Sequence, residues 1–123
     1  MFQILIVEDD KELSLLFQKV LEKSGYQVKS ASDGAQALEV LDREYIDLII
    51  SDIMMPVMDG LETAEKIRKS GREDAGTVII IAMSANAFYD DIERSIKAGM
   101  NTHIAKPIDA DELVNIIARQ AGR

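Results

Sequence analysis

Short runs of aliphatic and β-branched residues alternate along this chain with amphipathic stretches of ten or more residues, and that alternation leaves few folds open. Five such strand-then-helix units can be counted, the pattern of an α/β domain with a doubly wound parallel sheet. After Ile4-Leu5-Ile6-Val7, Asp10 can cap a helix from Lys11 to Lys23, along which Leu13, Leu16, Val20 and Leu21 recur at helical spacing, and Gly25 stops it. Tyr26 to Ala31 alternates and is more polar than the other runs, as an edge strand would be. Asp33 with Gln36 begins a second helix through Leu38 and Leu41, with Gly34 in its first turn. The third strand ends near Asp52. Turn signals at Pro56 and Asp59-Gly60 follow, then a helix from Glu62 to Lys69 and a long polar connection from Ser70 to Thr77. Val78 to Met83 is almost entirely apolar, as expected of a central parallel strand covered on both faces. A fourth helix runs from Ala87 to Ala98 and closes at Gly99. Asp109 and Glu112 make a capping box for the last helix, which turns Leu113, Ile116 and Ile117 to the core.

A chain of 123 residues, read as one domain over 1–123 with no linker or repeat, can bury a core without disulfides or a structural metal. Cysteine is absent, which removes thiolate chemistry and fits a reducing cytoplasm. Met1-Phe2-Gln3 leads straight into an apolar run with no basic segment before it, so the start reads as a strand and not as a signal peptide. No run approaches the roughly 20 apolar residues that span a bilayer, so membrane insertion is not expected. A net charge of -8 argues against direct nucleic-acid binding, which needs clustered Lys and Arg, and leaves protein surfaces as the expected partners.

The chemistry sits where the strands end. Glu8-Asp9-Asp10, Ser51-Asp52, Ser84 and Lys106-Pro107 each close an apolar run, and in an open parallel sheet the carboxyl ends of strands share one crevice. Two carboxylates about 4 Å apart repel by about 4 kcal/mol at an effective dielectric near 20, so such a cluster calls for a cation. Magnesium suits hard oxygen ligands and is typically held by one or two carboxylates plus phosphate; manganese is the alternative ion. Asp10 reads best as a helix cap. Asp52 can attack phosphorus to give an aspartyl phosphate if a metal and a fixed cation neutralise the transferred oxygens; Lys106 supplies that cation and Ser84 a hydroxyl donor. Each of these residues alone reads as a loop start, a strand cap or a surface lysine. Their joint placement at four strand exits favours a site.

These motifs, Val7-Glu8-Asp9-Asp10, Ser51-Asp52-Ile53-Met54-Met55-Pro56-Val57-Met58-Asp59-Gly60, Met83-Ser84-Ala85-Asn86-Ala87 and Ala105-Lys106-Pro107, make the chain resemble a receiver domain of a two-component response regulator, with receivers of chemotaxis regulators and hybrid histidine kinases as its kin. The resemblance spans essentially the whole chain. It implies a flavodoxin-like sheet in order 2-1-3-4-5 with five helices, Glu8 and Asp9 as the acid pair, Asp52 as phospho-acceptor, and magnesium held at Asp9, Asp52 and the Met54 carbonyl, with Glu8 beside them. Further implications are catalytic roles for Ser84 and Lys106, a cis Lys106-Pro107 peptide, and an open path to the acceptor at Ala85. Switching is expected through Ser84 and position 103, where His103 replaces the usual aromatic residue at the start of strand five and loosens that coupling. Met54 and Asn86 should flank the path of water and tune the phosphorylated lifetime. Implied partners are a histidine kinase or histidine phosphotransfer protein and a downstream protein that reads the helix 4–strand 5–helix 5 face, for which Phe88, Tyr89 and His103 are exposed reporters. The domain would act as a monomer or a phosphorylation-dependent dimer, catalysing its own modification and no turnover of an outside substrate. Two rival readings fare worse. A magnesium phosphatase with an Asp52 nucleophile commonly needs a second Asp where Met54 stands, and a flavin site would place its phosphate against Glu8-Asp9-Asp10.

Overall fold

The computed structural model describes residues 2–52, 60–70, 78–84, 89–105 and 108–121, with the backbone alone at 89–92. Strands and helices alternate in the order β1 Gln3–Val7, α1 Lys11–Lys23, β2 Gln27–Ala31, α2 Gly34–Arg43, β3 Leu48–Asp52, α3 Gly60–Arg68, β4 Ile79–Ser84, α4 Tyr89–Lys97, β5 Thr102–Ala105 and α5 Ala110–Gln120. The five strands form one parallel sheet in the order β2-β1-β3-β4-β5, as the resemblance implies.

Successive side chains of a strand point to opposite faces, so a strand covered on both sides must be apolar at every position. In β1, Leu5 and Val7 join a core layer with Ala37 and Leu41 of α2, Ala64 and Ile67 of α3 and Ala98 after α4, while Ile4 and Ile6 join Phe17 and Leu21 of α1 and Leu113 and Ile117 of α5. β3 and β4 divide in the same way, Ile49, Ile80 and Ala82 to the first layer and Leu48, Ile50, Ile81 and Met83 to the second. β2 lies at the edge and exposes Gln27, Lys29 and Ser30, the polar alternation read from sequence.

α1 has the predicted bounds but a different inward face. Phe17 is buried at 2% exposure, whereas Leu16, expected on the apolar stripe, is 53% exposed beside Leu15 at 54%. Leu13, Phe17 and Leu21 are spaced four apart, so one row of the helix carries them inward and turns Leu16 away. Smaller differences follow from packing. Tyr26 precedes β2 and stacks edge-on against Phe2, ring centroids 5.7 Å apart. α3 spans Gly60–Arg68, ahead of the expected span, and α4 is described over Tyr89–Lys97, the expected start at Ala87 lying outside the described residues. The Ser70–Thr77 connection lies outside them beyond Ser70.

Helix ends carry the expected caps. Asp33 Oδ1 accepts from Gln36 N at 2.9 Å, and Gln36 Oε1 accepts from Ser32 N at 3.1 Å, one residue earlier than a standard capping box. Asp109 Oδ1 accepts from Glu112 N at 2.7 Å. Both described left-handed residues are the predicted helix-stop glycines, Gly25 at φ 96° and Gly99 at φ 100°.

A clasp at the amino edge of the sheet was not legible in the sequence. The Arg68 guanidinium at the end of α3 donates to the Gly99 carbonyl from Nε at 2.9 Å and Nη2 at 2.7 Å, to the Val78 carbonyl from Nη1 at 2.7 Å, and to Asn101 Oδ1 at 2.9 Å. Asn101 Oδ1 also accepts from Ile80 N at 2.8 Å, and Asn101 N donates to the Ile80 carbonyl at 2.8 Å. A Cβ on Gly99 would stand 2.7 Å from Arg68 Cγ, so the glycine makes room for the arginine as well as turning the chain. Burial lowers the affinity of Arg68 for its proton, an effect a guanidinium bears without losing its charge near neutral pH.

Candidate functional site

Register alone brings the acids together. β1 and β3 pair at Val7↔Ser51, so the next residues, Glu8 and Asp52, leave adjacent central strands side by side at the carboxyl edge. β3 and β4 pair at Asp52↔Met83, which sets Ser84 one residue further on, and Ser84 pairs with Ala105 of β5, the residue before Lys106. The crevice thus gathers Glu8, Asp9, Asp52 and Ser84 from three strands. Lys106, Pro107, Met54, Ala85, Asn86 and Phe88 lie outside the described residues.

Glu8 is 2% exposed and Asp52 6%, whereas Asp9 faces solvent, and one carboxylate oxygen of each lies within 4.8 Å of the others. Oxygens that share a magnesium ion are about 3 Å apart when adjacent and about 4 Å when opposite, given metal–oxygen distances near 2.1 Å. Oxygens as far apart as that limit would draw together by up to roughly 2 Å, or be bridged by water, to share one ion. Hard oxygen donors, two of them nearly buried, fit that group.

The β1–α1 turn holds Glu8 in place. Its backbone N donates to the Ala31 carbonyl at 3.1 Å, and its Oε2 accepts from the backbone N of Asp10 at 3.1 Å. Asp10 caps α1, as its sequence position suggested: its Oδ1 accepts from Glu12 N at 3.0 Å and Leu13 N at 3.2 Å. Under Asp52, the buried Ser51 hydroxyl donates to the Asp52 carbonyl at 3.1 Å, a backing contact that sequence reading did not single out. A hydroxyl inside an otherwise apolar central strand was the available signal, since a buried polar group needs a partner. Ser84 is 6% exposed. His103 is the second residue of β5 and half-buried, less open than expected of a reporter, and pairs in register with Ala82.

Among the described residues no helix is long and apolar enough to cross a membrane. Residues 4–118 match the response regulator receiver domain family. Over 120 residues the chain is 36% identical to the sensor histidine kinase RcsC of Salmonella typhi, covering 98% of this chain but 12% of that protein, so it spans a small part of that relative's length. It is 34% identical over 117 residues to sporulation initiation phosphotransferase F of Bacillus subtilis, covering 95% of this chain and 91% of that protein. Among solved structures, the receiver domain of the Pseudomonas aeruginosa sensor histidine kinase PA1611, which has a magnesium ion coordinated in its active-site cleft, superposes with a TM-score of 0.88 at 37% identity, covering 99% of this chain and 98% of that one. With the β2-β1-β3-β4-β5 sheet and the acid cluster at its carboxyl edge, these likenesses agree: the chain belongs to the response regulator receiver domain family of two-component signalling.

Proposed function

We propose that Asp52 is the phospho-acceptor of this receiver and that Glu8, Asp9, Asp52 and the Met54 carbonyl hold the magnesium ion its phosphorylation requires. The observation that carries the proposal is the convergence of the Glu8, Asp9 and Asp52 carboxylates at adjacent strand ends. In the transfer, an Asp52 carboxylate oxygen forms a bond to phosphorus while the bond from phosphorus to the imidazole nitrogen of a phosphohistidine breaks, and the donor keeps that electron pair. When bound, the ion supplies charge neutralisation to the phosphoryl oxygens. The Ser84 hydroxyl donates to one of those oxygens and Lys106 pairs with another.

The same reading takes residues 1–123 as one receiver domain, a switch that catalyses its own phosphorylation and dephosphorylation and acts on no outside substrate. Its donor is a histidine kinase or histidine phosphotransfer protein, met in the cytoplasm. Its output is a changed α4-β5-α5 face, reached through Ser84 and His103, and Met54 and Asn86 govern how readily water reaches the phosphoryl group. Incubation with a small-molecule phosphodonor tests the core of the proposal. Labelling is expected only with magnesium, mapping to Asp52 and lost in Asp52→Asn, a near-isosteric change that leaves the fold intact. Persistent labelling of the variant, or a label on another residue, would overturn the assignment.

A further inference from the structure

Resting on the reading above, we infer that Asp10 is a positioning residue for the acid cluster: by capping α1 with its side chain it fixes its own backbone N–H, and that N–H holds the Glu8 carboxylate in place. The exposed Asp10 side chain accepts from both Glu12 N and Leu13 N, and its carbonyl accepts from Ser14 N at 2.9 Å, so the residue is tied to the first turn of α1 through two groups. Its third polar group, the backbone N–H, points the other way and donates to Glu8 Oε2 at 3.1 Å. Glu8 is 2% exposed and reaches the cluster with Asp9 and Asp52. A nearly buried carboxylate facing two others has reason to turn away, and a fixed donor opposes that rotation. The capped helix thus supplies the rigidity, and the N–H passes it to the cluster.

Charge and cap make opposite forecasts. If Asp10 acts through its negative charge, Asp10→Asn, Asp10→Ser and Asp10→Ala should all weaken metal binding alike. If it acts by capping, Asn and Ser, which cap about as well as Asp, should keep wild-type behaviour and Ala should not. Magnesium titration of the whole chain, with the rate of phosphodonor labelling as second readout, separates the two. For Asp10→Ala we expect magnesium affinity about fivefold weaker and slower labelling, the change associated with loss of a typical cap, and for Asp10→Asn and Asp10→Ser affinity within about twofold of wild type. Arg68→Met removes the clasp at the opposite, amino edge of the sheet and should leave magnesium affinity unchanged, so a general loss of stability is not mistaken for positioning. In a Glu8→Ala background, Asp10→Ala should cause no further loss, because the residue through which it acts is gone. Equal weakening in Asp10→Asn and Asp10→Ala overturns the inference while leaving Asp52 as acceptor. An unweakened Asp10→Ala overturns it as well. Wild-type protein that takes no magnesium-dependent label at Asp52 overturns both.

Discussion

Asp9 carries its charge where two other carboxylates already stand, and it alone of the three faces solvent. Like charges brought together oppose folding unless a cation joins them, so an ion bound by this cluster would stabilise the domain. For Asp9→Ala, magnesium affinity should fall by about tenfold or more, while the apo protein melts no lower than wild type, since a ligand and a repelling charge leave together. Calorimetry with and without magnesium checks both halves; undiminished affinity would remove Asp9 from the ligand set. At this scale the acids, the hydroxyl and the cap were legible because each lies next in sequence to the end of an apolar run. The Asp10 N–H to Glu8 contact and the Ser51 hydroxyl under Asp52 were not, because both depend on backbone direction within a turn or strand end.

At the scale of elements, α1 and α3 show two limits of pattern reading. Leu13, Leu16, Val20 and Leu21 fit a helical period, yet so do Leu13, Phe17 and Leu21, and the sheet selects the row with the aromatic ring. Arg68 marks the second limit, since an arginine ending an amphipathic helix reads as solvated, and its carbonyl partners come from the β4 and β5 approaches. Its worth can be measured. Arg68→Met keeps the stem and removes every donor, leaving the Val78 and Gly99 carbonyls to find water, and should cost about 1–2 kcal/mol in urea unfolding, discounted because the site is partly solvated. Arg68→Lys should recover less than half of that loss, because one ammonium cannot reproduce the planar fork that spans Gly99, Val78 and Asn101. A midpoint equal to wild type in Arg68→Met would show that the clasp contributes nothing net.

Across the whole molecule, chemistry and scaffold occupy opposite edges of one sheet. The carboxyl edge bears Glu8, Asp9, Asp52 and Ser84, and the amino edge bears the Arg68 clasp. The order of apolar runs made this architecture legible, because strands buried on both faces admit little besides a parallel sheet between helix layers. Element ends were less legible, as at α3, which runs Gly60–Arg68 where Glu62 to Lys69 was expected. One consequence concerns how the molecule breathes. Amide hydrogens exchange with solvent only when their bonds open, and the amides of Ile80 and Asn101 donate to each other's residue within the arginine-braced corner. They should therefore rank among the slowest to exchange deuterium, at rates that magnesium and phosphorylation leave nearly unchanged, whereas the Asp10 amide should slow once an ion is bound beside Glu8. Residue-resolved hydrogen exchange would expose a fault in this division of labour if the Ile80 amide responded to the ion as strongly as the Asp10 amide.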